Sequence, residues 1–199
     1  MIRRIPFLLL LFCIPALPAL SQGRSTDFRQ IQLYAFGGAT GTYTGLSGGR
    51  NLGVTAGVDI GLGQYFGVLP LLEVRGTYPV HSGTIVGEKN FLGGLRVEKI
   101  YGRYHPYVDV LFGRGQLVYQ GGGYPDPTLS TLWLRTNSNV FSPGVGVDID
   151  VTRSFAFRAD AQYQHYQTPV TVSGSLYSTA ITAGVVYRFG YRGSRPYTE

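Results

Sequence analysis

Between Asn51 and Leu62 the chain alternates without a break. Leu52, Val54, Ala56, Val58, Ile60 and Leu62 share one face of an extended segment, while Asn51, Gly53, Thr55, Gly57, Asp59 and Gly61 share the other. A ten-residue strand rises about 33 Å and, tilted near 45°, covers roughly 23 Å, close to the apolar band that a strand must cross in a bilayer. Length and membrane thickness agree.

The same period of two recurs along the chain. Leu72, Val74, Gly76 and Tyr78 oppose Glu73, Arg75 and Thr77, and Phe91, Gly93, Leu95 and Val97 oppose Asn90, Gly94, Arg96 and Glu98. Val108, Val110 and Phe112 oppose Asp109 and Gly113, and Phe141, Pro143, Val145, Val147 and Ile149 oppose Ser142, Gly144, Gly146, Asp148 and Asp150. Two late strands place Phe155, Phe157, Ala159, Ala161 and Tyr163 against Arg158, Asp160 and Gln162, then Ile181, Ala183, Val185, Tyr187 and Phe189 against Thr182, Gly184 and Arg188. With Ile31 to Thr40 as a first strand, eight are predicted; its facing stays open, because aromatic and small residues occur in both parities. Pro143 inside a strand marks a candidate bulge. Connections are long at 41–50, 119–136 and 167–175, medium at 81–87, and short at 63–68, 99–104 and 152–154, as when short turns and long loops gather at opposite ends of a barrel.

Alternation alone does not say which face meets solvent, since a soluble carrier barrel has the same period. Composition decides. The polar faces are built from Gly, Ser, Thr and Asn with Asp59, Glu73, Arg75, Arg96, Glu98, Asp109, Asp148, Asp150, Arg158, Asp160 and Arg188, and the apolar parity carries no charge within the proposed span. An Arg or Lys facing lipid at mid-depth costs about 2 to 4 kcal/mol, which accounts for that exclusion. The prediction is an all-β, eight-stranded, antiparallel up-and-down transmembrane β-barrel with apolar residues outward. Eight strands enclose room only for side chains, so the acids and arginines should pair into a plug, chiefly Glu73, Arg75, Arg96 and Arg158, with glycines making room beside them.

The chain opens with Arg3 and Arg4, the apolar run Phe7 to Ile14, and Pro15 and Pro18, the pattern of a secretory signal peptide over 1–21, with cleavage after Ser21 or Ala19. An N-terminal segment, 22–29, precedes a barrel at 30–189 and a short periplasmic tail at 190–199. Cys13, the only cysteine, falls in the apolar run, so the mature chain offers no disulfide, thiol nucleophile or cysteine metal site. Removal of Arg3 and Arg4 leaves 15 basic residues against 11 acids. Only Lys89 and Lys99 are lysines and there is no basic run, which argues against a nucleic-acid surface.

Pro143-Gly-Val-Gly-Val-Asp-Ile-Asp, the short connection around 152–154, Phe155-Ala-Phe-Arg-Ala-Asp-Ala-Gln-Tyr, and Ala183-Gly-Val-Val-Tyr-Arg-Phe189 resemble the small outer-membrane barrel family typified by the OmpA transmembrane domain and OmpX-like barrels. The resemblance covers roughly Gln30 to Phe189. It implies a monomer in the cell outer membrane of a Gram-negative-type envelope, in contact with outer-membrane lipid and lipopolysaccharide, with a structural or surface-interaction role. It further implies that Tyr187 and Phe189 form the assembly signal read by the barrel-assembly machinery, although the tail Gly190 to Glu199 departs from a terminal aromatic. That tail is too short for a peptidoglycan-binding domain.

Some barrels of this class modify lipids, which makes His81, His105 and His165 candidate general bases. His165 follows Arg158 and Tyr163, but the deacylase pattern needs Ser two residues later, where this chain has Gln167, so no catalytic residue is assigned. No metal-ligand spacing and no phosphate loop occurs, and no cofactor is expected. Tyr163, Tyr187, Phe189, Phe112 and Tyr78 are expected near strand ends as aromatic girdles. In the longest loop Leu132, Trp133 and Leu134 form either a contact surface for a partner or an anchor at the upper membrane rim.

Overall fold

The computed structural model describes residues 32–64 and 66–189. The signal peptide, the 22–29 segment, Gln30, Ile31 and the 190–199 tail lie outside the described residues. Among the described residues ten strands occur in chain order: β1 (Gln32–Tyr43), β2 (Arg50–Gly61), β3 (Val68–His81), β4 (Val86–Lys99), β5 (Tyr104–Tyr119), β6 (Tyr124–Pro125), β7 (Leu132–Trp133), β8 (Arg135–Asp150), β9 (Phe155–Gln167) and β10 (Ser175–Phe189). The eight long strands close into one antiparallel barrel in the order β1, β10, β9, β8, β5, β4, β3, β2, while β6 and β7 form a separate hairpin. Closure follows from the β1–β10 ladder, which runs from Leu33 opposite Phe189 to Tyr43 opposite Thr179 and leaves neither strand with a free edge.

The facing expected of seven strands is observed. Val54, Leu72, Leu95, Val110, Ile181 and Val185 are exposed on the outside, while Asp59, Glu73, Arg96, Asp109, Asp148 and Arg158 are buried. The first strand is settled as well: Tyr34, Phe36, Thr40 and Thr42 point inward, and Leu33, Ala35 and Ala39 outward.

Three expectations need correction. The ladder between β8 and β9 keeps one register on both sides of Pro143, from Phe141 opposite His165 to Gly144 opposite Gln162, so there is no bulge. Instead the pairs at 142 and 143 are missing, because proline has no N–H to donate. The bulge lies between β2 and β3, where the register shifts between Leu52 and Gly53. Phe112 is mid-strand, not at a strand end, and its ring lies 4.9 Å from that of Phe141. Loop lengths also sort less cleanly than expected, since 82–85 at the long-loop end is shorter than 62–67 at the other.

Candidate functional site

Inward side chains of the barrel divide into two halves. Toward the short turns the lumen is mainly ionic, with Leu69 and Leu71 of β3 buried beside the charges. Arg96 Nη1 donates to Asp59 Oδ2 at 3.1 Å, and its Nη2 donates to Glu98 Oε2 at 2.8 Å and Asp148 Oδ2 at 2.7 Å. Arg158 Nε donates to Asp148 Oδ1 at 2.8 Å, and its Nη2 donates to Asp59 Oδ2 at 2.8 Å and Asp148 Oδ2 at 2.9 Å. Each guanidinium therefore ties together carboxylates from distant strands, in the forked geometry that suits Arg better than Lys.

Arg75 forms a second knot. Its Nε donates to Glu73 at 2.5 Å, and its two terminal nitrogens reach the Asp160 oxygens at 3.3 Å. Asp109 takes its hydrogen bonds from Gln162 Nε2, at 3.0 Å to each oxygen, and Ser142 Oγ donates back to Gln162 Oε1. At the mouth, the His105 ring stands between Glu98 (Nδ1, 2.7 Å) and Asp150 (Nε2, 3.2 Å), and Arg188 Nη1 lies 2.6 Å from Asp150 Oδ1.

Apolar matter fills the space between these ions. Arg96 stacks 3.5 Å above the Tyr107 ring and Arg158 stacks 4.1 Å above Phe36. A Cβ at Gly57 would run into Phe36, and one at Gly146 into Tyr107, so these inward glycines make room for the aromatic platforms under the arginines. Tyr107 and His105 were not among the expected lumen residues, although they share the parity of Asp109; Phe36 lies on β1, whose facing the alternation leaves open, and Gln162 stands on the polar face where it was expected.

The half beneath the long loops is different. Leu92, Leu111, Leu117, Val86, Val140 and Leu176 form a buried apolar cluster with Tyr119 and Tyr166, and Leu46 and Val170 join it from the loops at 44–49 and 168–174. The expectation of a lumen filled mainly by ions is therefore corrected: the polar parity breaks where the barrel's own loops supply apolar side chains to pack against. Between the halves runs a hydroxyl row in which Thr55 meets Thr40 at 2.6 Å and Thr77 at 2.9 Å, and Thr40 meets Thr182 at 3.0 Å. Glu88, also absent from the sequence reading, is buried in this upper half, and neither of its oxygens finds a hydrogen-bond partner among the described residues.

Outside, Tyr187 and Phe189 stack edge to face at 4.8 Å on the last strand, and Phe155 lies 5.1 Å from Tyr187. Leu132, Trp133 and Leu134 are exposed, with Leu132 and Trp133 in β7 paired to Pro125 and Tyr124 of β6. Asp126 closes this hairpin, accepting from the Thr128 and Ser130 hydroxyls and from the Ser130 N–H. Desolvation acts to raise the Asp126 pKa, but these donors outweigh it and hold the carboxyl below its ordinary value.

Of the three histidines, His81 is exposed at the end of β3 and His105 is held in the lumen mouth. His165 faces outward with Nε2 3.1 Å from Ser175 Oγ, its ring stacked on Tyr177 at 4.9 Å. The hydroxyl that the sequence lacks at position 167 is thus supplied from β10. An activated serine also needs a group that orients the base and donors for an oxyanion. Among the described residues, every carboxylate faces the lumen except Asp126 in the external hairpin, so none stands behind His165. No group of three metal-ligating side chains occurs among the described residues.

No family model matches this sequence, and no curated protein matches it. Solved structures do share its fold. Neisserial surface protein A (NspA) superposes with a TM-score of 0.51 at 16% identity, covering 80% of this chain and 97% of that one. Ail, the attachment invasion locus protein of Yersinia pestis, superposes with a TM-score of 0.50 at 11% identity over 80% of this chain and 99% of its own. Ail in complex with the heparin analogue sucrose octasulfate gives 0.51 at 10% identity. The chain has the fold of these small eight-stranded surface barrels.

Proposed function

We propose that this chain is an integral outer-membrane barrel, exported by the signal peptide at 1–21, that serves as a rigid, closed frame for extracellular contacts and carries out no catalysis. One observation carries the reading: the barrel is inverted relative to a soluble protein, with ion pairs shut inside and aliphatic side chains exposed all round. Water would leave that outer surface unsatisfied, whereas hydrocarbon matches it, and closure leaves no unpaired strand edge in lipid. The lumen is plugged from both ends, by the ionic network near the short turns and by the apolar cluster under the loops.

The contact surface in this reading is the β6–β7 hairpin. Strand β5 continues from Arg114 to Tyr119, which at about 3.3 Å per residue and a tilt near 45° lifts the hairpin roughly 12 Å above Arg114. That height favours Leu132, Trp133 and Leu134 as a surface for a partner over a membrane-rim anchor. Fractionation followed by gel migration with and without boiling tests the whole: a compact band in the membrane fraction that shifts only on boiling is expected, and mature chain that stays monodisperse in water without detergent overturns it. Release of fatty acid from acylated lipid by the reconstituted barrel, lost in His165→Ala, would overturn the non-catalytic part alone.

A further inference from the structure

The outer wall holds a feature that neither the plug nor the loops use. Side chains of β2, β3, β4, β5 and β8 enclose a shallow outward groove of about 820 Å³. Its floor is Ala56, Gly76 and Phe91, consecutive neighbours across the sheet, and the same row runs on through Arg114 to Asn139. Above it Lys89 pairs with Gln116 and Gln116 with Asn137. The groove is therefore apolar at one end and cationic at the other.

Charge makes the cationic end specific. Lys89 and Arg114 are exposed on the outer wall and take part in none of the ion pairs among the described residues, because the carboxylates are in the lumen or in the hairpin. Arg114 Nη1 donates to Asn139 Oδ1 at 2.7 Å, which steadies the guanidinium and leaves its other N–H groups free. Gln116 Nε2 donates to Asn137 Oδ1 at 2.7 Å, leaving the Asn137 amide nitrogen as a further donor. Tyr78 and Phe91 beside them are aromatic residues of the kind found at the headgroup level.

We propose that this groove binds one phosphate-bearing, acylated glycolipid of the outer leaflet, with Lys89 and Arg114 on the phosphate and an acyl chain laid over Ala56 and Gly76. The proposal rests on the membrane reading above. An apolar floor without the cations would accept any chain, and cations without the floor would take any anion; their continuity in one groove selects a molecule with both parts. Gly76 leaves a usable handle, since a Cβ there would meet only ordinary contacts at 3.8 Å.

Native mass spectrometry of the full mature protein in detergent, titrated with bis-phosphorylated lipid A and with its dephosphorylated form, tests the assignment. The phosphorylated form should bind roughly thirtyfold more tightly, the combined effect of two cations beside one anionic group. Lys89→Gln with Arg114→Gln should erase that preference, while Gly76→Leu should weaken both forms alike. Equal binding of the two forms by the wild type, a preference that survives the double substitution, or displacement of the lipid by equimolar inorganic phosphate would each overturn the proposal. All three substituted side chains lie on the outer wall, and a compact unboiled band in each variant shows that the barrel is intact. Absence of that band in the wild type would strike the membrane reading itself, a failure distinct from loss of lipid preference.

Discussion

The two halves of the lumen solve one packing problem by opposite chemistry. Near the short turns, four arginines, Arg75, Arg96, Arg158 and Arg188, are set among seven carboxylates and stacked on Phe36, Tyr107 and Tyr34. Under the loops, the same cross-section is filled by Leu92, Leu111, Leu117 and Val140. Turns of a few residues have no side chains to send inward, so the strands must fill that end themselves, and long arginines reach across it. At the other end Leu46 and Val170 descend from loops, and an apolar core gives them something to hold. The ionic half thus ties strand to strand, and the apolar half ties strand to loop.

The sharpest way to break this comparison is to damage each half once. Arg158→Ala leaves Asp59 and Asp148 buried with one guanidinium fewer, and removal of one partner from a buried ion network costs about 3 to 5 kcal/mol. Leu111→Ala removes a fully buried aliphatic side chain, for about 2 to 4 kcal/mol. Unfolding by denaturant in detergent micelles should show both losses. The qualities should differ: the arginine variant admits water among surplus carboxylates and gains a small cation-selective leak in planar bilayers, whereas the leucine variant stays closed. Equal leaks in the two variants would abolish the distinction between the halves.

Glu88 sharpens it from the other side. Buried beside Tyr166, this carboxylate takes part in none of the ion pairs among the described residues, unlike its counterparts near the short turns. Glu88→Gln should therefore raise stability, by about 1 to 2 kcal/mol, while leaving the closed state unchanged. A loss on the same denaturant curve would reveal a partner for Glu88 and make the upper half less apolar than its composition implies.

Most of the architecture could be read from alternation, because a strand in a closed barrel has one face on lipid and one on a crowded lumen. The facing of β1 escaped. Phe36 lies in the inward parity as a platform for Arg158, and nothing in a single strand's composition distinguishes such a ring from one facing lipid. The apolar half escaped for a related reason: Leu111 shares the inward parity of Asp109 and Gly113, and an apolar side chain in that parity carries no sign of the loops it packs beneath. The external cations lie at Lys89 and Arg114, each one residue beyond the clear alternation of its strand, and only the full lengths of β4 and β5 bring them to one groove.

Pro143 gives the smallest and most local effect. Its neighbours show that nothing but a missing donor interrupts the β8–β9 ladder: pairing resumes in the same register at Gly144, and Val110 on β5 still pairs with Pro143 on the other side. The interruption opens an outward dimple of about 310 Å³ lined by Gly144, Ala161 and Tyr163. Inside the wall at that point, Gln162 holds Asp109 and takes a hydrogen bond from Ser142, so the polar lumen continues behind the gap. Pro143→Ala supplies an N–H where the Tyr163 carbonyl can receive it, and one added backbone hydrogen bond should stabilise the barrel by about 0.5 to 1.5 kcal/mol. Amide hydrogen exchange in β9 should slow at the same time. If neither quantity moves, the gap is set by the Gln162 side chain pressing against Gly144 and not by the proline, and the ionic half then reaches further up the wall than the ladder indicates.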